Sequence, residues 1–511
     1  MTRIERVAVY VVVFLSGALL MSLEIAAFRI IGKTFGSALR ETTSVITVFL
    51  AAMSLGYWFG GRAGDRWPRS STLIAALLNA AALLLAVPWL DALLSPRIAA
   101  SDLELYTHAF LATALLFALP TILFATVSPI AVRLFATGTG TSGSTAGSIS
   151  AVSTIGSIAG SVVTAFLLID WLGSIARTVS MVALAACITA VVLLAATLPR
   201  LLSEGTMRIA IRRYSIALAA ALAVGFVSIA FIRWSQIERS LLMPNPHWRV
   251  LFVGDSPYHR VMVRERPGIV RELKFAVGIQ SMMSLKDPLG AGSPYSDSVH
   301  ISRLMRPGVR RVLLIGLGGG TIPKQFTHYY KDTTVDVVEI DPMVVDVSRK
   351  YFDVQPSDRL RIHVGDGRMF LNRTQEKWDL IVIDAYTTNR YGDTIPPHLV
   401  TQEFFSTISR RLSDGGILHY HCAFGETKLL LALQKTIASV FGSTYVTRGE
   451  VLASHVALIT PKERALERAR SSRAGTLPRL ADYLDRMEPY SEVPADIPLL
   501  TDDYAPVDTL R

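Results

Sequence analysis

The chain is poor in cysteine and, over its first 233 residues, poor in charge. Two cysteines in 511 residues, Cys187 and Cys422, exclude a disulfide framework and a cysteine-rich metal site. Residues 1–233 carry only 16 Lys/Arg and 9 Asp/Glu, against 35 and 32 in residues 234–511. So few charges do not suit a water-soluble fold, whereas the second part has an ordinary soluble composition. The net charge of +10 comes without a Lys/Arg stripe interleaved with aromatics, so nucleic acid is not an expected partner. The excess sits mostly in short loops between apolar runs, the bias of a membrane protein whose basic loops stay inside. The first apolar run lacks a small-residue cleavage site, so it reads as an anchor and not as a removable leader.

What is present in the first part is length. Apolar runs at about 7–31, 42–61, 72–95, 107–132, 148–169, 175–198 and 214–233 each approach the roughly 20 residues that cross about 30 Å of hydrocarbon. Residues 1–233 are therefore expected to form an α-helical multi-pass domain of about seven helices, with the lipid bilayer of the cell (inner) membrane as partner. Pro120 and Pro129 interrupt the fourth run, and Gly156 and Gly160 in the fifth suit close helix packing. Glu24, with Arg29 five residues on, is an ionisable group at membrane depth, open to a functional or a purely ion-pairing role. The segment Gly56-Tyr57-Trp58-Phe59-Gly60-Gly61-Arg62-Ala63-Gly64-Asp65-Arg66 resembles the loop after the second helix of major-facilitator transporters. Arginine placement favours an inside N-terminus, which with seven spans puts residues 234–511 outside.

The second part changes period twice. Residues 248–253, 258–264, 273–277 and 280–285 alternate as strands, with turns at Asp255-Ser256-Pro257 and Arg266-Pro267-Gly268. They suggest a small antiparallel sheet within residues 234–302. From 303 to 462, strands expected at 311–316, 335–340, 360–364, 380–384, 416–420, 444–446 and 456–460 alternate with helices such as 343–351 and 401–412. That order indicates a parallel, Rossmann-like α/β sheet. Residues 463–511 form a C-terminal extension.

Four motifs fall at the carboxyl ends of successive strands, where open α/β sheets bind ligands. The first is Gly316-Leu317-Gly318-Gly319-Gly320-Thr321, in which glycines let the backbone approach a ligand. The second is Glu339, 23 residues after Gly316, an acid placed to accept from ribose hydroxyls. Gly365-Asp366-Gly367 follows the third strand, near an adenine edge, and Asp384 ends the fourth. Thr321 stands where a dinucleotide fingerprint wants its last glycine, so an S-adenosyl nucleoside fits better than NAD. His419 and His421 share a strand face beside Cys422, but no fourth ligand is evident and no metal site is expected.

These motifs resemble the spermidine synthase (polyamine aminopropyltransferase) family, in its bacterial branch fused to N-terminal transmembrane helices. The resemblance spans about 250–460 and rests on Val338-Glu339-Ile340-Asp341, Gly365-Asp366-Gly367, Asp384 with Ile395-Pro396-Pro397-His398-Leu399, Phe404-Phe405 and Leu412-Ser413-Asp414-Gly415-Gly416. Leu500-Thr501-Asp502-Asp503-Tyr504-Ala505-Pro506-Val507 is a tail motif of the fused branch. It implies a methyltransferase-type Rossmann-like domain preceded by a small β domain, through which a homodimer could form. It further implies aminopropyl transfer from decarboxylated S-adenosylmethionine, with no prosthetic group, to an amine such as putrescine. Asp384 would be the general base. Gln280, Gly316, Gly318, Gly320, Glu339, Asp366 and Gly367 would bind the nucleoside, and Tyr258, Tyr295, Tyr386 and His398 would face the acceptor.

Three departures stand out. The glycine loop lacks the family's acid, Thr387 replaces a second Asp, and Ser296-Asp297 replaces His-Glu after Tyr295. They leave open a methyltransferase using S-adenosylmethionine, or a non-catalytic transport or sensing module. S-adenosyl nucleosides are cytosolic, so the chemistry points to a cytosolic second domain, against the arginine count.

Overall fold

The computed structural model describes residues 2–35, 39–99, 101, 105–136, 142–172, 174–203, 247–258, 260–275, 278–290, 295–306, 308–389, 392–422, 427–447, 449–456, 464, 467, 480–507 and 510. They divide into two compact units, residues 1–244 with 255–257, and residues 245–254 with 258–511.

Among the described residues of the first unit, six helices are long and apolar enough to cross a membrane: Arg3–Gly32, Glu41–Arg66, Ser70–Ile98, Thr107–Phe135, Gly143–Leu168 and Ile175–Thr197. The seventh expected span, 214–233, lies outside the described residues. Val9, Val12, Leu23, Leu77, Leu84, Phe117 and Val182 form one continuous buried cluster among these helices. The small residues act as packing surfaces: a Cβ on Gly156 would lie 2.0 Å from the Phe14 carbonyl oxygen. Gly56-to-Arg66 is not a loop, because the helix Leu39–Arg66 continues through it. Its glycines at 56, 60 and 64 recur every four residues and lay one helix face against residues 122–133. A π-turn at Ala114–Ala118 precedes Pro120, whose missing N–H disturbs the regular helical ladder.

The second unit begins with a four-stranded sheet in the order β1–β2–β3–β4 (Arg249–Asp255, Arg260–Arg266, Val270–Phe275, Gly278–Ser284). The main sheet contains β5 (Arg311–Ile315), β6 (Thr334–Glu339), β7 (Leu360–Val364) and β8 (Trp378–Ile383). A short hairpin, β9 (Thr387–Asn389) and β10 (Gly392–Thr394), stands apart from it. β11 (Leu412–His421), β12 (Ser443–Thr447), β13 (Glu450–Ser454) and β14 (Glu488–Pro489) complete the main sheet, in the order β14–β12–β13–β11–β8–β5–β6–β7.

Strands β11, β8, β5, β6 and β7 run parallel, but β13 joins β11 and β12 antiparallel, so the sheet is mixed and not parallel throughout. The strand that follows β12 is β13, Glu450–Ser454; of the strand expected at 456–460, residues 457–460 lie outside the described residues. The apolar run Val451-Leu452-Ala453 is fully buried, whereas Val456 is exposed. Buried Leu313, Ile315, Ile381, Ile383 and Leu418 alternate out of the parallel strands into a core on one face. The C-terminal extension is not a separate part, since Ile497, Leu500 and Val507 are buried in that same core.

Candidate active site

The strand order β8–β5–β6–β7 brings four carboxyl ends side by side, and an open cleft lies over them. Gly316, Glu339, Asp366 and Asp384 line it, each just after or at the end of one of these strands. Gln280, Gly318, Gly367, Tyr295, Tyr386 and His398 line it as well. Two residues of the sequence reading do not. Tyr258 is 46% exposed and sits in the turn after β1, outside the cleft. Gly320 lies two residues beyond Gly318, the last lining residue of the loop, and its φ of 69° starts the helix Thr321–Tyr329.

The glycine loop is held tightly on both sides. Gly316 adopts φ 101°, and a Cβ there would lie 2.1 Å from the Asp384 carbonyl oxygen, so only glycine lets β5 and β8 end so close together. The Gly319 N–H donates to Ser281 Oγ at 2.8 Å. Ser281 belongs to β4 of the small sheet, and no motif in the sequence marked it.

Glu339 organises the loop from beneath. Its Oε2 accepts the Leu317 N–H at 2.8 Å and its Oε1 the Asp341 N–H at 3.0 Å. Each carboxylate oxygen keeps a further lone pair for a ligand hydroxyl. Burial raises this carboxyl from 4.5 to about 7, with the backbone donors pulling in the opposite direction.

Asp366 caps the helix Gly367–Arg373 by accepting from the Met369 N–H at 2.8 Å, and its Oδ2 lies 2.9 Å from His398 Nε2. That hydrogen bond holds the Asp366 carboxyl below the usual range. His398 therefore stands with Asp366. The helix that follows, Gln402–Arg411, is capped by Thr401, whose side chain accepts from the Phe404 N–H. Arg368 accounts for the tail motif: it donates to both Asp502 oxygens, at 2.7 and 2.6 Å, and to the His398 carbonyl at 3.1 Å. Spacing alone could not reveal a pair 134 residues apart.

Asp384 is the buried acid at the centre. The Tyr295 hydroxyl donates to its Oδ2 at 3.3 Å. Its Oδ1 is buried and has no hydrogen-bond partner among the described residues. Burial raises the Asp384 carboxyl, while the charge of His421 and the Tyr295 hydrogen bond oppose that rise. Burial, then the adjacent Asp384, pushes the Tyr295 phenol well above its ordinary value, so it remains a donor. A buried carboxylate with one oxygen held and one uncommitted can take a proton from a ligand.

The chain also matches known proteins. A family model described as the spermine/spermidine synthase domain covers residues 295–448. The polyamine aminopropyltransferase of Vibrio vulnificus is 32% identical over 230 residues, 43% of this chain and 75% of that protein. The chain belongs to the polyamine aminopropyltransferase family. Members of this family are transferases. The probable polyamine aminopropyl transferase of Bifidobacterium longum is 27% identical over 287 residues, 51% of this chain and 61% of that one. Putrescine N-methyltransferase 2 of Nicotiana attenuata is 32% identical over 178 residues, 33% of this chain and 45% of that protein. A crystal structure of spermidine synthase with the transition state analogue AdoDATO is 20% identical, covering 44% of this chain and 78% of that one at a TM-score of 0.36. In this aminopropyltransferase-family chain, the residues matched by the family model include Tyr295, Glu339, Asp366, Asp384 and His398.

Proposed function

We propose that this chain is a membrane-anchored aminopropyltransferase that uses decarboxylated S-adenosylmethionine as co-substrate, without a prosthetic group, and a small amine such as putrescine as acceptor. The observation that carries this reading is the pair of Asp384 oxygens, one held by Tyr295 and the other buried without a partner among the described residues. Glu339 receives the ribose hydroxyls and Asp366, steadied by His398, the adenine amino group. The acceptor nitrogen attacks the carbon next to the sulfonium. The carbon–sulfur bond breaks, methylthioadenosine leaves, and the nitrogen's proton passes to Asp384 Oδ1. Orientation of the two reactants and removal of one proton are the whole task, which suits a rigid cradle and a single carboxylate.

The six apolar helices support a membrane location for the first unit, and the cytosolic origin of the nucleoside supports a cytosolic second unit. The test is turnover of decarboxylated S-adenosylmethionine and putrescine by the full-length chain, followed as methylthioadenosine. Asp384→Asn is expected to lower kcat by about 10²- to 10⁴-fold with methylthioadenosine affinity unchanged. Normal turnover by this variant would remove Asp384 as the base.

A second reading, methyl transfer from S-adenosylmethionine, is favoured by the similarity to a putrescine N-methyltransferase and by the acid-free loop Gly318-Gly319-Gly320-Thr321. The products separate the two: methylthioadenosine from aminopropyl transfer, S-adenosylhomocysteine from methyl transfer.

A further inference from the structure

Nucleoside binding does not explain a buried carboxylate on the antiparallel side of the sheet. Glu450 opens β13 and is 1% exposed. Antiparallel pairing sets it directly opposite His421, with His419 two residues away on the same face of β11. Both histidines reach it: His419 Nε2 lies 2.9 Å from its Oε2, and His421 Nδ1 lies 2.7 Å from its Oε1. The other ring nitrogen of His419 meets the Ser302 hydroxyl at 2.9 Å. Burial alone would raise the Glu450 carboxyl, but the two imidazoles outweigh it and bring it down to about 2. An ionised group so deep costs several kcal/mol unless its partners compensate, so this arrangement calls for a reason beyond packing.

The reason lies in what His421 touches. Its ring stacks on Tyr295, with centroids 4.1 Å apart and planes 17° apart, and it meets Tyr386 at 5.6 Å. Tyr295 in turn holds Asp384. We propose that His421 and Glu450 are positioning residues for the general base, Glu450 fixing the His421 ring and that ring fixing Tyr295 so that its hydroxyl holds one Asp384 oxygen and leaves the other for the acceptor amine. This rests on the transferase reading above and adds to it two residues from the antiparallel part of the sheet. The groups facing His421 are Glu450 from β13, Tyr295 from the helix Tyr295–Ser298, Tyr386 and Asp384 from the end of β8, and His419 on its own strand. The charge of His421 opposes the rise that burial imposes on the Asp384 carboxyl, and the charge of Glu450 adds to it.

The experiment compares the full-length wild type with His421→Phe, His421→Ala and Glu450→Gln, using whichever donor the wild type consumes, decarboxylated S-adenosylmethionine or S-adenosylmethionine. His421→Phe keeps a ring on Tyr295 but loses the charge and the bond to Glu450. Both His421 variants are expected to lose about tenfold to a hundredfold in kcat, with KM for the donor within about twofold. The acid limb of kcat/KM should move up, because the His421 contribution that opposes the burial shift of Asp384 has been lost while that of Glu450 remains. Glu450→Gln should lose kcat without losing methylthioadenosine binding. A His421→Phe enzyme with wild-type kcat and pH profile would overturn the proposal, leaving His421 as a space-filling ring. Failure of Glu450→Gln to fold would leave the decision to the His421 pair. A wild type inert with both donors would instead overturn the transferase reading.

Discussion

Lowering the pH from 8 to 5 protonates Glu339, because burial has raised its carboxyl from 4.5 to about 7 despite two backbone donors. A group titrating there is about nine-tenths ionised at pH 8 and about one-hundredth ionised at pH 5. Ribose hydroxyls donate to the ionised form, so nucleoside affinity falls with pH, by on the order of a hundredfold across this window if only the ionised form binds. Stability has the opposite sign. An acid whose folded value lies above its unfolded value contributes stability that is complete below pH 4.5 and is lost as pH rises through about 7. Moving one carboxyl from 4.5 to about 7 corresponds to about 3 kcal/mol, so the empty cleft is under most strain at the pH where it binds best. The assay is calorimetric titration of the full-length chain with methylthioadenosine at pH 5, 6, 7 and 8, beside Glu339→Gln and Asp384→Asn. Affinity should fall with pH in the wild type and in Asp384→Asn, and be weak and flat in Glu339→Gln. A wild type that binds equally at pH 5 and pH 8, or a Glu339→Gln variant that keeps the fall, would refute the reasoning.

Two further outcomes are expected. Asp502→Asn removes the charge that clamps Arg368, and through it the His398 carbonyl, so KM for the donor should rise about threefold to tenfold with kcat preserved, as for loss of one partly exposed charge-assisted pair. A reporter fused after Arg511 should be active only in its cytosolic form; a signal from the outer side of the membrane would contradict a site that uses a cytosolic nucleoside.

The parallel half of the fold was legible because its signals are local. Each parallel strand is a short apolar run, and each site acid falls at the end of one, so Glu339, Asp366 and Asp384 could be placed by counting. The antiparallel side was not, because its pairings join distant segments. Glu450 had no motif around it, and its partners lie 29 and 31 residues away. The alternation of His419 and His421 showed that they share a face, but not that an acid from the next strand lies between them. Tyr258 was misplaced because a tyrosine in a turn carries no record of where the turn points. The segment from Gly56 to Arg66 was read as a loop by its resemblance to a transporter loop, since the sequence shows glycine but not the neighbouring backbone that a side chain would strike.

The contact between Glu450 and the two histidines also bears on how the sheet is assembled. A slip of β13 by one residue against β11 would turn every side chain of the strand to the opposite face. Glu450 would leave both imidazoles and bring a bare carboxylate among apolar residues, a cost of about 3–5 kcal/mol for an uncompensated buried charge. The His–Glu–His contact therefore acts as a registration pin for a strand whose next residues, Val451, Leu452 and Ala453, are fully buried and carry little to distinguish one pairing from another. A chain that seats this strand correctly has, in the same step, set the ring beneath Tyr295.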